Sequence, residues 1–203
     1  MKKLALASLL FLFFTACFDS THPLSSPEKA VIDKNLEGLW RSVKAATSDD
    51  EFGYVHIGHP GEKSSNQRQQ YAVVIGNKNG ELEKPGEYYF FPSTIGNHRY
   101  LNLVDCKGDS ERCSKIRDRG MNTELVEKYF LIRYEIKGND LTLTPMDKDA
   151  IKQAIESGKV KGKVEMGDPS FLDSTEHLAS FFKDHGDALF SKPGNAIRLK
   201  RVK

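Results

Sequence analysis

This 203-residue sequence has few cysteines and tryptophans and almost no net charge. It has three cysteines and one tryptophan, and its 30 basic residues face 28 acidic ones. The balanced charge argues against a disordered acidic or basic tail, and an apolar fraction of 38% excludes a protein with several membrane-spanning helices. No phosphate-binding loop, dinucleotide-binding glycine pattern or zinc-peptidase helix is present. At this length we expect one domain with a substantial core.

Long apolar runs are also rare, and the most prominent one, Leu4 to Ala16, follows Lys2 and Lys3. The run has about 13 residues, whereas a membrane-spanning helix needs about 20, so it predicts a secretory signal over residues 1–16. Both lysines lie in this signal and no acidic residue does, so residues 17–203 carry equal numbers of basic and acidic groups. The composition therefore predicts no nucleic-acid partner.

The residues that end this run, Phe14-Thr15-Ala16-Cys17, resemble the cleavage site of bacterial lipoproteins, with Phe14 where Leu is usual. The resemblance implies cleavage before Cys17, a diacylglycerol on its sulfur and a stable membrane anchor of several acyl chains. Phe18 stands where Asp would mark inner-membrane retention, so the resemblance implies the outer membrane, with the protein facing the periplasm. The alternative is an ordinary signal peptide with a chance cysteine at its junction.

Serine, threonine and proline are frequent after Cys17, which predicts a flexible tether over residues 17–35. The folded domain is expected over residues 36–203. In an oxidising compartment, Cys106 and Cys113 are expected to form a disulfide that closes a surface loop. No further Cys or His at metal-ligand spacing follows them, and no C-x-x-C is present, so neither a metal site nor a redox motif is predicted.

The body of the sequence reads mainly as short strands bounded by turn residues, and Gly138-Asn139-Asp140 marks its clearest hairpin. Helical periodicity follows over residues 147–158 and again over 173–186, where Asp173 and Glu176 resemble a capping box. The final segment, 196–202, alternates like a strand. We therefore predict a mainly β fold: an antiparallel barrel of about eight strands with one or two helices before the last strand. A sandwich with a helical insertion is the alternative.

Gly38-Leu39-Trp40 resembles the G-x-W signature of the lipocalin-like (calycin) barrels. The resemblance implies that Trp40 plugs one end of the barrel and that a late basic residue, Arg198 or Arg201, packs across it. The family's middle and late motifs are missing, and an ordinary core tryptophan is the alternative. The chain as a whole also looks like small bacterial lipoproteins that end in a helix, Leu-Phe and a basic strand, a likeness that implies no activity.

Aromatic residues cluster on the predicted strands, and alternation divides them between the two faces of the sheet. One face is expected in the core, and the other could line a cavity or form a partner surface. The residues predicted to line a ligand cavity are Tyr89, Phe91, Tyr100, Phe130 and Tyr134. Plain core filling is the alternative.

Catalytic chemistry is not indicated. Ser110 lies in a charged loop without the G-x-S-x-G elbow, and Asp147 with Asp149 opens a predicted helix, where the helix dipole accounts for both carboxylates. His56 and His59 point to opposite faces in an extended strand, so they are not expected to share a metal. We predict no catalytic residue, metal or cofactor.

Two functional hypotheses remain for a protein that acts by binding. The first is a lipocalin-like carrier or sensor of a small apolar or amphipathic ligand. The second is a protein-interaction lipoprotein, either an envelope assembly factor or an inhibitor or immunity protein of a periplasmic enzyme. In that case the long charged segment 107–127, which begins at the predicted disulfide, would carry the contact.

Overall fold

A computed structural model of the chain describes residues 18–43, 53–59, 68–78, 81–106, 110–121, 126–190 and 196–203. The predicted signal, residues 1–16, and Cys17 lie outside these residues. In the part of the chain that is described, no helix is both long enough and apolar enough to cross a bilayer.

Eight antiparallel strands close into a barrel, which confirms the predicted fold class. With strands numbered in chain order, the barrel contains β2 (Gly38–Ser42), β3 (Gly53–Gly58), β4 (Gln70–Lys78), β6 (Gly86–Ile95), β7 (His98–Asp105), β8 (Phe130–Lys137), β9 (Asp140–Pro145) and β12 (Ile197–Arg201). Each strand pairs with its neighbours in this order, and β12 pairs with β2 to complete the ring. Since a closed barrel has no free edges, the described strands leave no long edge open.

The remaining strands and the three α-helices lie outside the barrel. A small three-stranded sheet contains β1 (Asp19–Ser20), β10 (Gly162–Glu165) and β11 (Asp168–Phe171). In it, β11 pairs parallel with β1 and antiparallel with β10. The short strand β5 (Glu81–Leu82) pairs antiparallel with the end of β4. The helices are α1 (Ser110–Arg119), α2 (Lys148–Glu156) and α3 (Thr175–Leu189). Two of the three were predicted, whereas α1 occupies a segment expected to be a charged loop.

The ends of the predicted helices are partly as expected. Asp147 caps α2, and its carboxylate accepts hydrogen bonds from the backbone N–H groups of Asp149 and Ala150. The cap of α3 is Ser174, not Asp173 as predicted, because the Ser174 hydroxyl accepts from the His177 N–H. This helix continues through Gly186 to Leu189, since its buried face extends that far.

Two apolar cores share one wall of the barrel, because alternate residues of β6, β7 and β8 point inward and outward. The inward-facing residues form the interior core with residues of the other strands, and its buried members are Leu36, Trp40, Ile57, Ala72, Tyr88, Phe90, Leu101, Leu103, Ile132, Tyr134, Leu141 and Leu199. The outward-facing residues of the same wall pack under the helices, the small sheet and the N-terminal segment, forming a second core.

The predicted flexible tether needs correction over the residues that the structure describes, 18–35. Leu24 is only 1% exposed and Phe18 only 7%, and both belong to the second core. Ser20 exchanges two backbone hydrogen bonds with Tyr129, at 2.8 and 2.9 Å. The apolar side chains of this segment have a hydrophobic wall to cover, so burial outweighs the flexibility that its serines and prolines suggested.

The side chain that fixes this segment is Asn102, which is fully buried on the outer face of β7. Its Oδ1 accepts from the Leu24 N–H at 2.7 Å, and its Nδ2 donates to the Phe91 carbonyl at 3.1 Å and the Ser93 hydroxyl at 2.7 Å. The Ser93 hydroxyl also lies 2.6 Å from that of Ser25. One amide therefore ties the N-terminal segment to two adjacent strands of the barrel.

The predicted disulfide between Cys106 and Cys113 is confirmed, with their Cα atoms 5.5 Å apart. It joins the end of β7 to the middle of α1, and both cysteines are buried in the second core. The link fixes a helix whose sequence is otherwise strongly charged.

Candidate functional site

One end of the barrel is sealed by the residues that precede its first strand. A short 3-10 helix, Lys34–Leu36, places Leu36 inside the barrel with no exposed surface. The indole Nε1 of Trp40 donates to the Leu36 carbonyl at 2.7 Å. Both side chains are fully buried, and together they cover the interior at this end.

Arg201 covers the same end from outside. Its guanidinium carbon lies 4.1 Å from the centre of the Trp40 ring, and its nitrogens donate to the carbonyls of Glu37 and, at 2.5 Å, Asn35. Gly38 leaves room for this side chain, because it has a φ of +127° and a Cβ there would lie 2.6 Å from the Arg201 Nη1. Arg198, the other residue considered for this role, is exposed on the outer face.

We call residues 33–37, which cover this end of the barrel, the plug. Asp33 joins the plug to two barrel strands. Its Oδ2 accepts from the Arg99 Nη1 at 2.9 Å and from the Tyr134 hydroxyl at 3.0 Å. The Arg99 guanidinium also lies 4.9 Å from the centre of the Tyr134 ring. Burial, and then the Asp33 carboxylate, raise the pKa of Tyr134, so this phenol stays protonated and donates at neutral pH.

The opposite end of the barrel has a different character. Five aliphatic or aromatic side chains that pack against the interior core between mid-barrel and this end are only partly buried, and we call them the apolar mouth: Val55, Val74, Phe130, Leu143 and Ile197. Val55 lies directly across from Trp40, and Leu143 lies directly across from Tyr134. Ile136 is also partly buried, but it lies near the closed end, beside the β8–β9 turn. Apolar surface that faces inward yet stays partly accessible is what a binding site for an apolar molecule requires.

The interior core beside the apolar mouth also contains large aromatic side chains. Trp40 and Phe90 are almost completely buried, and Tyr88 is 6% exposed. Burial, and then the Asp105 carboxylate, raise the pKa of Tyr88, so its phenol remains neutral in the physiological range. The site therefore combines apolar walls with a neutral hydroxyl, a composition suited to apolar or amphipathic molecules.

The five residues predicted to line a single cavity do not lie together, and that prediction needs correction. Phe130 belongs to the apolar mouth, and Tyr134 lies inside the barrel toward the closed end. Tyr89, Phe91 and Tyr100 point outward into the second core. Adjacent residues of a strand point to opposite faces, and the five predicted residues belong to both faces of the barrel wall.

The three outward aromatic residues have structural partners. The Tyr100 ring centre lies 5.4 Å from that of Phe182 and 5.7 Å from that of Phe190. Phe91 meets Tyr129 edge to face at 6.3 Å. Helix α3 and the N-terminal segment cover this face, so these rings hold the outer layer on the barrel.

Sequence reasoning missed the aliphatic part of the apolar mouth. Two signals were available: Ile197 shares the parity of buried Leu199, and Leu143 shares that of Leu141. The residues predicted to line a cavity are all aromatic, whereas four of the five mouth residues are Val, Leu or Ile.

Within the described ranges, no group of three or more His, Cys, Asp and Glu side chains is arranged to hold a metal ion. His56 is exposed on the outer face of β3, and its ring centre lies 5.9 Å from that of Tyr71.

Comparison with known proteins found no match. No family model matches the chain, and neither a curated protein nor a solved structure does.

Proposed function

We propose that the protein is a lipid-anchored envelope lipoprotein whose barrel binds one small apolar or amphipathic molecule through the apolar mouth. The eight-stranded barrel is an architecture of this size that either fills with side chains or holds a single small ligand. The protein would act as a carrier or sensor, with no chemistry performed on the ligand.

The observation that carries this proposal is the difference between the two ends of the barrel interior. At the closed end, Leu36, Trp40 and Leu141 have no exposed surface. From mid-barrel toward the other end, the five residues of the apolar mouth remain partly accessible. Covering accessible apolar surface contributes roughly 25 cal/mol per Å², so a ligand that fills this end gains binding free energy there.

The location is proposed from the sequence pattern around Cys17. A cationic start, a short apolar run and small residues before a cysteine support export and acylation. The Cys106–Cys113 disulfide is compatible with an oxidising compartment such as the periplasm. By the resemblance at Phe18, the anchoring membrane would be the outer one.

Binding can be tested with N-phenyl-1-naphthylamine, whose fluorescence rises in apolar surroundings, in competition with a saturated fatty acid. We expect saturable uptake of one probe per chain and displacement by the fatty acid. Phe130→Ala removes a ring from the apolar mouth and should weaken probe binding about tenfold, which corresponds to about 1.4 kcal/mol.

The matched control is Leu39→Ala, because Leu39 is an apolar residue on the outer face of the same barrel and is 38% exposed. This variant should bind the probe as the wild type does. Probe uptake that does not saturate, or that Phe130→Ala and Leu39→Ala reduce equally, would contradict the proposed site.

A second candidate function, protein binding through α1, is favoured by the charges on this helix. Its exposed residues are Glu111, Lys115, Arg117, Asp118 and Arg119. The Cys106–Cys113 disulfide and buried Ile116 fix this charged face to the barrel. A preformed charged surface suits recognition of a complementary protein. In that case, Lys115→Glu with Arg119→Glu would abolish capture of an envelope protein while leaving probe binding intact.

A further inference from the structure

The tip of the β10–β11 hairpin carries an unusual residue, Met166. Its φ is +51°, and it is the only non-glycine residue with a positive φ among those that the structure describes. Gly167, the next residue, has a φ of +90°. Tight hairpin turns that need two positive φ values normally use Asn, Asp or Gly, because a larger side chain is strained there.

The Met166 side chain is also fully exposed to solvent. It therefore gains no packing within the described structure that would offset the strain of its backbone. A strained residue that presents bare apolar surface points to a contact outside the domain.

The N-terminal chain enters the domain along β11, the strand that follows this tip. Strand β1 runs parallel to β11, with Asp19 opposite Ser170 and Ser20 opposite Phe171. β1 therefore lies beside the second half of β11, and Ser170 is about 13 Å along the strand from the Met166–Gly167 turn. Phe18 is buried, and Cys17, the residue proposed to carry the lipid, directly precedes it in the sequence.

The chain that leads to the tip, residues 159–165, carries three lysines. Lys159, Lys161 and Lys163 are all exposed, and the side chains between them are apolar or absent. Lys163 pairs with Glu165 at 3.0 Å, so part of this charge is balanced locally. Exposed lysines beside an apolar tip complement a bilayer surface that contains anionic lipid.

We propose that the β10–β11 tip rests on the bilayer that holds the lipid of Cys17, with Met166 in the interfacial region and the lysines at the headgroups. This inference rests on the proposed lipid anchor. With the tether folded onto the barrel, the anchor and the tip form two neighbouring contacts, and together they hold the barrel in one orientation.

The experiment measures depth in the membrane at two engineered positions of the acylated protein. Met166→Cys carries an environment-sensitive nitrobenzoxadiazole dye, and Asn139→Cys carries the same dye in the exposed β8–β9 turn. Since Ser20 pairs with Tyr129, Asn139 lies about 30 Å from β1, at the far end of β8. The proteins are reconstituted into phosphatidylethanolamine–phosphatidylglycerol vesicles that contain a spin-labelled lipid.

We expect the spin label to quench about half of the fluorescence at position 166 and little of that at position 139, because interfacial side chains sit several Å into the bilayer. Equal, weak quenching at both positions would overturn the contact of the tip. A third protein, Cys17→Ser in the Met166→Cys background, separates this result from the anchor. It should leave the vesicles, and its continued membrane association would refute the lipid anchor itself.

Discussion

Replacement of Asn102 by Ala should destabilise the protein more than any other single polar substitution on the outer face of the barrel. The side chain is fully buried and makes three hydrogen bonds. In one of them, its Oδ1 accepts from the Leu24 N–H at 2.7 Å. Leaving a buried N–H without an acceptor costs about 1–3 kcal/mol, and each of the two lost donor bonds contributes about 1 kcal/mol. The expected loss is therefore about 3–5 kcal/mol, measured by denaturant unfolding.

Hydrogen exchange gives a local measurement of the same effect. The N-terminal segment depends on Asn102 for its attachment between Ser20 and the plug, so the Leu24 amide should lose protection in Asn102→Ala. The control is Asn97→Ala in the exposed β6–β7 turn, which should change stability by less than about 0.5 kcal/mol. A loss below about 1 kcal/mol for Asn102→Ala, with the Leu24 amide still protected, would refute the role assigned to this amide.

Two further predictions concern Arg201 and the buried tyrosines. Arg201→Met should cost about 2–3 kcal/mol in thermal or denaturant unfolding, because it removes the contact over Trp40 and the bonds to two carbonyls of the plug, whereas exposed Arg198→Met should change stability by less than about 0.5 kcal/mol. Equal effects of the two variants would contradict the closure by Arg201. Burial raises the pKa of Tyr100 to about 12, and it also raises those of Tyr88, Tyr89, Tyr129 and Tyr134. The unfolded chain releases these protons first, so stability should fall as pH rises above about 10, by up to about 1.4 kcal/mol per pH unit for each phenol. Absorbance at 295 nm checks this directly, and ionisation of all seven tyrosines near pH 10 in the folded protein would disprove it.

The barrel was predictable because its information is local. Strand alternation and turn residues such as Gly138 and Asn139 define hairpins one at a time, and consecutive hairpins of this kind close into a barrel. The disulfide was predictable for the same reason, since its two cysteines are seven positions apart. Helix α2 followed from a cap and an apolar period within a dozen residues.

The outer layer was not predictable because its partners are distant in the chain. The burial of Leu24 depends on Asn102, and the pairing of Asp19 depends on Ser170. Leu24 and Asp19 both lie in the segment 17–35, which composition alone predicted to be a tether. Helix α1 was missed because its sequence is charged, and its attachment comes from the disulfide and buried Ile116.

The candidate site was only half predictable, for a reason that concerns parity. Alternation indicates which residues share a face, but it does not say which face is the interior. In β2, the resemblance to the G-x-W signature indicates that Trp40 points inward. In β6, large aromatic residues lie on both faces: Tyr88 and Phe90 point inward, and Tyr89 and Phe91 point outward. Only the second core, with its helices in place, explains why both faces are apolar.

The pairing of the first strands with the last ones has a consequence for when this chain can fold. β2 requires β12 to close the ring, and β1 requires β11, about 150 residues later. Contacts of such long sequence separation slow folding, because the loop-closure entropy is lost before the contacts form. In a chain that emerges N-terminus first, the ring can therefore close only once β12 is available. If the chain is exported as we propose, this late closure would keep the barrel open until its final strand has been made.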